Sequence, residues 1–243
     1  MPSTMFARQA YQWINRVNQK FNALAALNLS PEKKQRLNEW LEEEFVFFTL
    51  LLEDKQTERQ LIRQLIQVSP IERQSAEYGA PGDLLYRLRI VENFVEGKGA
   101  KARLNVELLL SLDSGGEFRK SDTSAGAVRA QHLPLIVENA CRWFAMESFA
   151  ELNPVEQAAI ALLRMLELAP FEPNNQQNAL IAASLFTLRS GLPPIIFRPA
   201  QRQTYFAAIK EGLKMNTQPM VELVGETIEQ TLDESMQVIN TDG

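Results

Sequence analysis

Two residue types are nearly missing from this chain of 243 residues: it has one cysteine, Cys141, and one histidine, His132. A lone cysteine excludes an internal disulfide and fits a reducing compartment. It reads as a small buried side chain rather than a nucleophile. No His/Cys/Asp cluster with metal-ligand spacing occurs, so no metal is expected. Also missing is any run of 18 uncharged apolar residues, which argues against a membrane-spanning helix. Residues 1–8 lack the apolar core of a signal peptide, and a cytoplasmic setting is the expectation. Basic residues are outnumbered, 25 Lys and Arg against 30 Asp and Glu. The net charge of −5 and pI near 5.2 argue against nucleic acid as a partner, because phosphate binding needs a basic face. There is no repeat, no low-complexity tract and no convincing linker.

What is there is helix. Hydrophobic residues make up 45% of the chain. Trp13, Ile14, Val17, Phe21 and Leu24 recur at helical spacing within 5–27. Ser30-Pro31-Glu32 reads as an N-cap, N1 proline and first-turn acid, opening a helix to about 54. Further helices are expected over 57–67, 84–96, 101–112, 132–148, 154–168, 175–190, 200–212 and 218–233, with a frayed end after them. Residues 69–72 form a capping-box pattern, and 78–83 read as a loop. Asn153-Pro154-Val155-Glu156 reads as a capped helix start. The turn-rich stretch 114–126 could hold a short hairpin. Pro193, Pro194 and Pro199 hold 192–199 extended. The acid run Glu42-Glu43-Glu44 reads as a solvated face, and so does Asp54. His132 reads as a surface residue at a helix start. The economical reading is one all-α domain over 1–243: an N-terminal helix within 1–30, helices over 31–99 and a core over 100–233.

The informative stretch is Ala169-Pro170-Phe171-Glu172-Pro173-Asn174-Asn175-Gln176-Gln177-Asn178-Ala179-Leu180. It joins two expected helices, and the second starts with amides that lack internal partners, a place suited to an anion. This segment resembles the Fic family signature, His-Pro-Phe-x-(Asp/Glu)-Gly-Asn-Gly-Arg-x-x-Arg. Pro170, Phe171 and Asn175 match it. Ala169 stands at the histidine position and Pro173 at the acidic one. Asn174 and Gln176 stand at the glycines, Gln177 and Leu180 at the arginines. The resemblance extends further. Gly116-Glu117-Phe118-Arg119 is similar to the segment leading into the Fic flap, which pairs with a target peptide. Thr49 and Glu53 match the inhibitory helix motif, Ser/Thr-x-x-x-Glu-(Gly/Asn), while Asp54 departs from it. Residues 153–159 resemble the start of the helix that feeds the signature, and 189–196 and 205–210 the segment that follows it, so the match spans most of 35–230.

The resemblance implies a Fic-like helical fold with a small β-hairpin flap. It also implies an ancestry of AMP transfer from ATP onto a protein hydroxyl. In that chemistry the histidine is the general base, worth roughly 10²–10⁴ in rate. The acid holds Mg²⁺, and the arginines clamp phosphate. Ala169, Pro173 and Leu180 supply none of these functions, and Gln177 is neutral. In the family, the inhibitory glutamate pairs with the second arginine, so Glu53 is expected to have lost that partner at Leu180 and to be either a relic or a hydrogen-bond partner of the helix start at 174–176. The expectation is therefore a pseudoenzyme that acts by binding a protein or a ligand, with neither ATP nor Mg²⁺ as cofactor. A homodimer part is a second reading, and an adenylyltransferase with atypical residues a third.

Overall fold

The computed structural model describes residues 4–68, 79–123 and 128–241, with the side chains of 4–12 left aside. The described residues form α-helices and short 3₁₀ turns, with no strand among them. In chain order the helices are α1 (Thr4–Ala25), α2 (Pro31–Leu52), α3 (Arg59–Gln67), α4 (Gly79–Lys98), α5 (Val106–Ser111) and α6 (Leu133–Phe144). They continue with α7 (Glu147–Ala150), α8 (Pro154–Leu168), α9 (Asn175–Leu188), α10 (Arg202–Gly212) and α11 (Gln218–Asn240).

Local chemistry sets the main starts. The Ser30 hydroxyl accepts the Lys33 N–H at 3.3 Å at the head of α2, with Pro31 in its first turn. Asn153 and Glu156 form the capping box of α8: the Asn153 side chain accepts the Val155 N–H at 2.9 Å, and the Asn153 N–H donates to Glu156 at 3.0 Å. Each cap satisfies amides that the helix itself cannot.

At the centre, α8 and α9 pack as an antiparallel pair. Every residue of α9 from Gln177 to Thr187 is buried, as expected of a helix surrounded on all sides. Its polar members turn inward on the backbone: the Ser184 hydroxyl donates to the Leu180 carbonyl at 2.9 Å and accepts the Ile195 N–H at 3.1 Å. That second bond ties the extended stretch 192–198 to α9. Helix α1 lies along α11, where Trp13 covers Gly225. A Cβ added at Gly225 would stand 2.7 Å from the Trp13 ring, so the helices meet where only glycine fits.

Several expectations need correction. The flap hairpin is not seen: residues 114–123 form bends and turns, and 124–127 lie outside the described residues. The capping-box pattern at 69–72 also lies outside them. The loop expected over 78–83 is instead the start of α4 from Gly79. The 101–112 stretch is shortened to α5 after a 3₁₀ turn, and 132–148 divides into α6 and α7. The frayed end expected after 233 is helical to Asn240, with Ile239 buried. The acid run of α2 is not a solvated face. Glu42 pairs with Arg89 of α4, Glu43 with Arg59 and Arg63 of α3 at 3.0 and 2.8 Å, and Glu44 with Arg59. All three carboxylates are buried, and their neighbours offset the cost of leaving water. Asp54 is exposed, as expected, and pairs with Arg202.

Candidate functional site

The site is the loop between α8 and α9 together with the elements that close over it. Helix α8 ends at Ala169, which adopts a left-handed conformation (φ 42°) without being glycine. The Glu172–Pro173 bond is cis. Asn174 then takes a second left-handed position (φ 68°) at the head of α9, and its side chain caps no amide. Asn tolerates this conformation better than most residues. The Asn175 side chain reaches back to the Phe171 N–H at 3.5 Å.

The segment from Gly116 holds the loop from one side. The Arg119 N–H donates to the Pro170 carbonyl at 2.9 Å. Its buried guanidinium donates to the Ala169 carbonyl at 2.7 Å, to the Ser121 carbonyl at 2.7 Å and to the Val128 carbonyl. One planar fork thus fixes three chain segments, which only arginine can do. Phe118 packs on Phe171, ring centres 5.7 Å apart. Gly116 is exposed with φ 63°, a turn position that favours glycine.

Helices α2 and α4 close the other side. Glu53 caps the C-terminal end of α2, one turn after the buried Thr49. Its carboxylate accepts a hydrogen bond from the Gln177 amide at 2.7 Å and pairs with Lys55 at 2.8 Å. The arginine partner is missing at Leu180, but Glu53 is no relic: it bonds the head of α9 through Gln177, one turn before Leu180 and just past the 174–176 stretch. The Gln177 carbonyl oxygen in turn accepts from Arg87 of α4 at 2.6 Å. Arg87 also donates to Asn178 and to Asp83, the latter at 2.8 Å. Only 3% of Arg87 is exposed. Burial pushes its guanidinium below the usual arginine range, against the pull of the Asp83 and Glu53 carboxylates.

The remaining sequence positions divide clearly. Ala169, Pro170 and Phe171 are buried, Pro173 is exposed, and Leu180 is buried in the core at 1% exposure. Glu172 is exposed and meets none of the network. Among the buried polar atoms without a hydrogen-bond partner in the described residues are Gln176 Nε2, Asn178 Nδ2 and the Tyr205 hydroxyl. Burial, then the charge of Glu53, raises the Tyr205 phenol above its ordinary range. His132 is exposed at the head of α6, far along the chain from the loop. Cys141 is buried, and burial pushes its thiol up to about 12, so it is no thiolate nucleophile.

The loop, Glu53 and Arg119, singled out in the sequence, lie together in the structure, whereas Arg87 was not singled out. The only local signal was the Asp83–Arg87 spacing of four, which reads equally well as an exposed helix pair.

No protein-family model matches the chain. Among curated proteins it is 29% identical over 126 residues to the protein adenylyltransferase Fic of Drosophila erecta, and 29% identical over the same length to that of Drosophila melanogaster. These matches cover 49% of this chain and 25% of each relative, so the chain spans about a quarter of their length. Among solved structures it superposes on a Fic domain containing signaling protein from Bacteroides thetaiotaomicron with a TM-score of 0.79 and 16% identity. That superposition covers 94% of this chain and 97% of that one. Fic-1 from C. elegans gives a TM-score of 0.81 and 19% identity, covering 97% of this chain and 74% of that one. The chain thus has the helical fold of Fic domain proteins, and about half of it is similar in sequence to the protein adenylyltransferases named Fic.

Proposed function

We propose that this chain is a Fic-fold protein that does not transfer AMP and acts through binding. Its surface for a protein partner is the exposed edge at Gly116 and Glu117 of the segment that Arg119 anchors to the loop. The supporting observation is the Glu53–Gln177–Arg87 network. Gln177 stands at an arginine position of the family signature, and both ends of its amide are spent within the protein. The residues of the loop do not fit a magnesium-bound nucleotide. Ala169 offers no base and Pro173 no oxygen ligand, and Leu180 offers no charge. No ATP or Mg²⁺ is needed in this reading. It carries a cytoplasmic setting, and self-association is tested on a sizing column. Among the described residues, no helix is long and apolar enough to cross a membrane.

A second reading is favoured by one observation. Arg87 brings a buried cation to the head of α9, beside the unpartnered amide nitrogens of Gln176 and Asn178. Those are donors of the kind a phosphate uses, so an atypical transferase with a rebuilt pocket is the alternative. Binding to the folded state raises stability by RT ln(1 + [L]/Kd). The first reading expects no thermal shift with millimolar Mg·ATP and no transfer of α-label to any protein. A clear shift with label transfer, lost in Arg87→Gln, would put the transferase ahead.

A further inference from the structure

A cavity of about 600 Å³ lies away from the loop, walled by α1, α2, α4, the C-terminal end of α9 and α11. Leu188 lines it. That residue is thirteen positions beyond the head of α9, about 20 Å along the helix axis. The volume falls within the ~300–1,000 Å³ typical of small-molecule sites. Much of its wall is aliphatic, including Leu24, Leu41, Val95, Leu188 and Pro194. Its charged groups are Glu42 from α2 and Arg89, Glu92 and Glu96 from α4. Three carboxyl groups thus share the cavity with one guanidinium.

The guanidinium is already committed. Arg89 donates from two nitrogens to the Glu42 carboxylate and also to the Ile66 carbonyl at 3.2 Å. Glu92 and Glu96 lie one turn apart on the same face of α4 and line the cavity; among the described residues no salt bridge reaches either, and Arg89 eases the ionisation of Glu92 only through its charge. The aliphatic wall and the nearby Glu42 carboxylate make ionisation costly there, and the Glu92 carboxyl is pushed up to about 8.

We propose that this cavity is a binding site for a small organic cation: an ammonium group seated between Glu92 and Glu96, with an apolar body against the leucines and prolines. An anion would meet carboxylates, and a neutral apolar molecule would leave them unmatched. A cation beside Glu92 favours its ionised form, so binding releases a proton. Affinity then falls as pH drops below about 8, approaching tenfold per unit.

The test uses the full chain and hexyltrimethylammonium, whose charge does not change with pH, in titration calorimetry with hexan-1-ol and hexanoate as controls. The expected result is saturable binding of the cation alone. Its affinity should rise at least several-fold between about pH 6 and about pH 8 and flatten above. Glu92→Gln, nearly isosteric, should remain folded by circular dichroism, lose the pH dependence and weaken binding about tenfold or more. Val95→Trp, which fills the cavity, should abolish binding without touching a charge. Equal or better binding of the alcohol or the carboxylate would overturn the proposal. So would absence of saturable cation binding, or an affinity unaffected by both variants.

Discussion

The Glu53 carboxylate at the end of α2 accepts a hydrogen bond from the Gln177 amide at 2.7 Å, joining residues 124 apart in the chain. The bond takes the nitrogen end of the Gln177 amide, while Arg87 donates to its oxygen end. A carboxylate, a neutral amide and a guanidinium in series satisfy one another, and a missing member leaves a buried polar group unpaired.

Glu53→Ala should therefore destabilise the chain by about 1–3 kcal/mol, the range for losing a hydrogen bond to a charged group and stranding its donor. Chemical denaturation measures it as a lower midpoint at unchanged slope. No labelling by α-labelled ATP should accompany the loss. Wild-type stability in the variant would show the contact to be idle.

Arg87→Lys should not be conservative. An ammonium cannot reach Asp83, Gln177 and Asn178 together from one buried position, whereas the guanidinium fork does. The expected cost is about 2–3 kcal/mol, on the scale of hydrogen bonds to charged groups. Combining Arg87→Lys with Glu53→Ala should cost less than the sum of the two, because both act through Gln177. Strict additivity in that cycle would break the network description.

Glu92 makes stability depend on pH with a defined sign. Its folded pKa, about 8, is raised above the ordinary carboxylate value of 4.5. The folded state therefore holds a proton that the unfolded chain gives up earlier. The contribution is fully present below about pH 4.5 and is lost as pH rises toward and through about 8. Glu92→Gln removes this loss, so its stabilising effect should grow from pH 5 to pH 8 and level off above, a pH scale set by those two values. Thermal melts across that range would reveal it, and a pH-independent difference would contradict the assignment.

Gly225→Ala tests the contact of α1 with α11. Alanine is the better helix former by about 1 kcal/mol. Its methyl group, however, would stand 2.7 Å from the Trp13 ring. Overpacking costs about 1–3 kcal/mol, so a net loss is expected. In a Trp13→Leu background the same substitution should become neutral or favourable. A gain in stability with Trp13 intact would mean that the helices part easily.

Most of the helical framework was legible in the sequence because its signals are local. Ser30-Pro31 and Asn153-Pro154 cap their own helices, and the apolar spacing of α8 and α9 follows from one turn of backbone. Cys141 as a buried thiol and His132 as a surface residue were legible for similar reasons. The motif loop and Arg119 were found through a pattern of residues, without their contacts.

What only the tertiary structure decided is which charges are buried and with whom. Glu42-Glu43-Glu44 looks solvated in sequence because its partners, Arg59, Arg63 and Arg89, lie on other helices. Arg87 looks like half of an exposed pair with Asp83 until α9 packs against α4 and buries its fork on Gln177 and Asn178. Glu53 looks orphaned until the end of α2 meets the second residue after Asn175. Local sequence sets a helix because its hydrogen bonds run only four residues along the chain. The protonation and pairing of a carboxylate depend instead on the dielectric and charges within a few ångströms, and residues far apart in the chain supply both.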